Sequence, residues 1–172
     1  MRRVQAGELP TEALLQTYRA SGTYTDCYVT EVSRVVTHAE FVEAFYNTWL
    51  FRIERGILKV AVSRPSSDED VRLLATGQAM TFAAWTVEGR APDQLLLCDM
   101  HRATRSWLMV AAAGENATRL YFGSAVVPRR TNTAGESKMG FTYRALLGFH
   151  NLYSRALLSA ARASLLRQPR NH

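Results

Sequence analysis

Between Met80 and Val127 four runs of β-branched, aromatic and aliphatic residues follow one another, at 80–88, 93–100, 103–113 and 117–127. The stretches "EGRAPD" and "AGEN" separate the outer pairs and read as turns. Links this short exclude parallel crossovers, which need a dozen or more residues, so the runs form an antiparallel meander. A meander must bury at least one face. The chain supplies a cover directly afterwards. After a polar loop, "PRRTNTAGESK", the segment "MGFTYRALLGFHNLYSRALLSAARASLLRQP" carries helical spacing and ends before Pro169. Met139, Tyr143, Leu146, His150, Tyr153 and Leu157 form its apolar stripe, widened by Leu147, Leu158 and Leu165.

The first half is mixed. "LPTEALLQTYRASG" predicts a short helix stopped near Gly22, and "TYTDCYVTEVSRVV" predicts a strand with Tyr24, Asp26, Tyr28, Thr30 and Val32 on one side. Thr37 and Glu40 have capping-box spacing, and Val36 and Phe41 stand where a hydrophobic staple would be. Phe41, Phe45, Trp49, Ile53, Ile57 and Val60 then recur at helical spacing, which predicts one long helix, bent near Gly56 and ended by Arg64-Pro65, with Trp49 in the core. Ser66 and Glu69 predict a second capping box that opens a short helix ending near Gly77.

Composition narrows the function classes. With 172 residues, 47% of them hydrophobic, the chain is long enough for one domain with a sizeable core, here a short N-terminal segment 1–22 and a core 23–168. Nineteen of its 21 basic residues are Arg, and the net charge is +6, but they are scattered rather than gathered in a stripe. No nucleic-acid-binding module accompanies them, so no nucleic-acid partner is expected. No run reaches the ~20 apolar residues of a membrane span, and no signal-peptide pattern opens the chain. A cytoplasmic protein is the expectation. Cys27 and Cys98 imply no disulfide framework, and His38, His101, His150 and His172 show no metal-ligand spacing, so neither metal nor cofactor is expected. Nucleotide loops and Gly-x-Ser-x-Gly elbows do not occur.

The order strand, helices, antiparallel meander, long C-terminal helix resembles the helix-grip fold of the START, birch-allergen and polyketide-cyclase superfamily: α+β, with a curved antiparallel sheet wrapped around a long C-terminal helix. Two segments resemble an uncharacterised bacterial family within it. One is a strand with His101, Arg105, Trp107 and Met109; the other is a C-terminal helix with Phe149, His150, Leu152 and Arg155 followed by Leu157 and Leu158. Ala103 stands where an acidic residue is usual, and Arg102 and Thr104 replace apolar neighbours. Only about four strands fit between residues 80 and 127, against six in larger members, which leaves open a smaller pocket or one completed in a homodimer.

With a period of two from His101, the residues His101, Ala103, Arg105, Trp107 and Met109 share a face, and Arg102, Thr104, Ser106, Leu108 and Val110 the other. Which face lines a cavity is left open by parity. The resemblance implies a cavity between sheet and C-terminal helix for a hydrophobic or partly aromatic small molecule. It further implies a cyclase-type enzyme of specialised metabolism acting on a polyketide-like substrate without metal. In that reading His101 moves a proton and Arg105 holds a developing negative charge. Trp85, Trp107, Met109, Tyr121, Tyr143, His150 and Tyr153 are the candidate ligand contacts. The alternatives are a non-catalytic lipid or small-molecule carrier, a sheet-mediated interaction module, and a solvated turn in which His101 and Arg102 have no role.

Overall fold

Short links do give antiparallel neighbours, with one strand more than the pattern suggests. The computed structural model describes residues 3–51, 67–127 and 139–167, with side chains in the last helix described from residue 152. The run 80–88 breaks at Ala83, whose φ of 49° turns the chain sharply between β3 (Thr81–Phe82) and β4 (Trp85–Ala91). "EGRAPD" is mostly strand: β4 runs to Ala91, and only Pro92-Asp93 turn into β5 (Gln94–Asp99). A register shift between Val87 and Gly89 absorbs the irregularity. β6 (Thr104–Ala112) and β7 (Thr118–Val126) follow. With β1 (Gln5–Ala6) and β2 (Tyr24–Val32) they make one open antiparallel sheet of order β1-β2-β7-β6-β5-β4-β3.

The helices depart further from their sequence pattern. α1 is only Gln16–Ala20. α2 (His38–Tyr46) has the expected capping box: Glu40 N–H donates to Thr37 Oγ1, and the Glu40 carboxylate accepts from Thr37 N–H. Val36 and Phe41 are both buried beside it. The helix ends at Tyr46, well before Gly56. Thr48 takes over there, its hydroxyl donating to Phe45 O and accepting from Phe51 N–H, which rotates the chain and leaves Trp49 66% exposed rather than in the core. The expected continuation through Arg64-Pro65 lies outside the described residues, as do Ser66 and the loop 128–138. The second capping box is one residue later than expected, on Ser67 and Asp70, and opens α3 (Asp68–Ala75). Gly77, at φ +80°, stops the turn that follows it. α4 spans Met139–Arg167. No described helix is long and apolar enough to cross a membrane.

Both faces of the sheet are covered. One carries Tyr28, Val32, Leu95, Leu97, Leu108, Leu120 and Phe122 against α2, α3 and the Leu157–Leu165 part of α4. The other carries Cys27, Leu96, Trp107, Met109 and Ala125 against Leu9, Ala13 and Leu15 of the N-terminal segment. That segment is keyed by one side chain. Buried Gln94 accepts from Trp107 Nε1–H and from Leu14 N–H, both at 2.9 Å, and donates to Glu12 O at 3.1 Å. Gly123 makes room for the same layer, since a Cβ there would sit 3.0 Å from both Leu15 and Trp107.

Two outcomes are expected in urea unfolding. Gln94→Leu strands the buried Trp107 Nε1–H and two part-buried backbone groups and costs roughly 2–3 kcal/mol, with the N-terminal segment released first to limited proteolysis. His38 opens α2 while buried, and burial, then Arg90, hold its imidazole down at about 4 from the ordinary 6.5. Its contribution is therefore intact above pH 6.5 and is lost as pH falls toward 4, because the unfolded chain takes the proton first. The full loss is about 3 kcal/mol. Comparing wild type with His38→Gln from pH 7 to 4 isolates that slope.

Candidate functional site

A cavity of about 180 Å³ lies between the helix-covered face of the sheet and α4. The sheet register builds its polar wall. Asp26 pairs with Ser124 across β2 and β7, and Ser124 pairs with Ser106 across β7 and β6, so three inward polar residues stand in one row. The same row continues through Leu97, and the next one inward, Tyr28, Phe122, Leu108 and Leu95, is wholly aromatic and aliphatic. Phe45, Phe51 and Trp85 close the sides, and Tyr153, Ser154 and Leu157 of α4 form the roof.

Two of the serines are fixed from behind. Ser124 Oγ donates to Asp26 Oδ1 at 2.7 Å, and the same oxygen accepts from Ser124 N–H at 2.9 Å. Ser106 Oγ and Tyr46 OH are 3.1 Å apart in a buried hydrogen bond. Neither Asp26 nor Tyr46 is among the residues lining the cavity. Ser154 differs. It is 1% exposed, and among the described residues its Oγ has no hydrogen-bond partner. A buried hydroxyl left so costs about 1–3 kcal/mol. Burial, then the nearby Asp26 charge, push the Tyr28 phenol up to about 12, so the deeper row stays neutral. The same two causes hold the Cys27 thiol at about 12, and burial raises Cys98, so neither offers a thiolate. Among the described residues no cluster of His, Cys, Asp and Glu could hold a metal ion.

The structure separates the residues that the sequence grouped. His101 is exposed in a tight turn: Asp99 Oδ1 accepts from Ala103 and Thr104 N–H, and Arg102 takes φ 57°. It is not a lining residue. Arg105 contributes to the lining, but its guanidinium goes to the N-terminal side of the sheet. There Nε meets Tyr18 OH and Glu88 Oε2, each at 2.7 Å, and Nη1 donates to Arg102 O. The guanidinium also lies over the Tyr18 ring, and Tyr18 OH donates to Glu88. Burial works against the Arg105 charge, but Tyr18 and Glu88 outweigh it and hold the group protonated. Trp107 and Met109 fill the layer under the N-terminal segment, with Tyr121 packed beside them, so these three stand across the sheet from the cavity. Trp85 and Tyr153 do line it. The side chains of Tyr143 and His150 lie outside the described residues.

Parity alone cannot find the serine row. The signal for it is Ser106 and Ser124, small polar residues at mid-strand inside apolar runs, each exactly where an inward aliphatic would otherwise pack. Comparison with family models, curated proteins and solved structures finds no match to this chain.

This geometry sets a contrast between two neighbouring substitutions. Arg105→Ala removes the tie between β6, β4 and the N-terminal segment and leaves the Glu88 carboxylate without its cation, costing roughly 2 kcal/mol. His101→Ala, in a solvated turn, stays within about 0.5 kcal/mol of wild type. Chemical denaturation of the two variants measures both.

Proposed function

We propose that this chain is a helix-grip protein that takes a small, partly aromatic molecule into the cavity between its sheet and C-terminal helix. The observation that carries the reading is the Ser154 hydroxyl, buried without a partner in the roof, above two serines that are already oriented. Small-molecule sites combine apolar walls with a few placed polar groups, and here Phe45, Phe51, Trp85 and Phe122 supply the walls. A guest bearing a hydroxyl or carbonyl satisfies Ser154 and removes the cost of leaving it bare. The size favours a single substituted ring, since an apolar cavity of ~150 Å³ accepts benzene.

A cyclase-type reaction fits this wall through confinement. Holding a flexible chain in a reactive conformation supplies much of the acceleration, and the Ser154 hydroxyl, whose proton is not committed to a partner, steadies a developing enolate. The described lining holds hydroxyls and aromatic rings rather than an imidazole or carboxylate, which equally favours carriage without conversion. Turnover separates the two: a cyclase consumes a polyketide-like thioester or acid, and a carrier returns it unchanged.

The test of the cavity itself uses neutral probes. Phenol and 1-naphthol are titrated by calorimetry and by the shift in Tm, against wild type and Ser154→Leu. Binding to wild type that weakens at least tenfold in the filled variant supports the reading, given ~1.4 kcal/mol per factor of ten. Absence of binding, or equal binding to both proteins with unchanged circular dichroism, overturns it.

A further inference from the structure

The geometry points to a second binding site, on the outer side of α4, for a single-chain amphiphile with an anionic head. A groove of about 460 Å³ runs between α4 and the chain entering β1, and three arginines frame it: Arg3, Arg155 and Arg162. Its floor is apolar, made by Val4, Leu152 and Ala163. Leu152 is 70% exposed there, an apolar side chain presented to solvent at the groove.

Among the described residues, none of the three guanidinium groups pairs with a carboxylate. Glu31, whose backbone carbonyl meets Arg162, has its own carboxylate held by Arg119 at 2.9 Å. Arg155 lies over the Tyr28 ring, 5.4 Å from its centroid, and Arg162 Nε donates to Glu31 O at 3.0 Å. These contacts hold both stems in place and leave other guanidinium N–H groups for an anion. Three cations lining one apolar groove match a carboxylate head on an alkyl chain. A groove of this volume has room for one such molecule along its apolar floor. The site is separate from the cavity, since Tyr153, Ser154 and Leu157 face the other way on the same helix.

Dodecanoate, kept below its micelle concentration, is the probe, read by calorimetry. Wild type binds it, high salt weakens the binding, and dodecyltrimethylammonium does not bind. Arg3→Gln and Arg155→Gln each weaken it roughly tenfold, the scale of one charge-assisted hydrogen bond. Arg3 makes no tertiary bond in the described structure, so its variant keeps the fold. Ser154→Leu leaves dodecanoate binding unchanged. The inference is overturned if dodecanoate does not bind, if the ammonium binds as well, or if the arginine variants bind as wild type. It is equally overturned if Ser154→Leu abolishes binding, which places the chain in the cavity, or if only phosphatidylglycerol vesicles bind, which makes the face a membrane contact.

Discussion

The register that aligns β2, β7 and β6 is the constraint on which the rest depends. Because side chains alternate across a strand, one pairing decides the fate of every residue on both faces. Cys27 opposite Gly123, and Gly123 opposite Trp107, sends the bulky indole into the gap that glycine leaves under the N-terminal segment. One position along, Asp26, Ser124 and Ser106 line up toward α4. A slip of one residue would put Trp107 into the cavity and the serine row under Leu15. With Trp107 and Leu108 both fully buried on opposite faces, neither surface tolerates that exchange.

Much of this order was legible from local chemistry. The strands showed in their short links and apolar texture, and the start of α2 showed in Thr37 and Glu40, because a capping box is a contact between residues three apart. What failed was of two kinds, a choice between near-equivalent local caps and a dependence on partners far along the chain. Trp49 keeps helical spacing with Phe45, yet Thr48 ends the regularity by bonding to its neighbours. Ser66 and Ser67 are adjacent candidates for one cap, and only the geometry of Asp70 selects the second. Parity grouped Arg105 with Trp107 and Met109 correctly, but no pattern within β6 says that the N-terminal segment, some ninety residues earlier, covers that face. His101 and Arg105 looked like a pair for this reason: four residues apart in sequence, one is solvated by its turn and the other is drawn to Tyr18 and Glu88.

The candidate site follows from the same division of labour. With the Arg105 guanidinium committed across the sheet, the described cavity wall is left neutral and hydroxylic. Asp26 and Tyr46 stand one bond behind it, and their role is to orient: Asp26 fixes the Ser124 proton, and Tyr46 shares one with Ser106. On the proposed reading, such a wall distinguishes guests by where their oxygens fall and not by their charge. It also differs from the outer surface of α4, where charge is the main feature and the floor is apolar.

Those two surfaces are joined through the seat of the helix. Arg155 rests on Tyr28, and Arg162 bonds the backbone of Glu31, both in β2. The strand that carries Asp26 into the polar row is thus the strand that anchors the roof above it. The anchors are electrostatic and directional, whereas Leu157, Leu158, Ala161 and Leu165 supply the undirected apolar contact. A roll by a fraction of a turn would carry Ser154 out of the cavity. Two arginines placed seven residues apart, about two turns, lie on one side of the helix and oppose that roll. The position of the unpartnered hydroxyl is therefore set from the outside of the helix as well as from within the core.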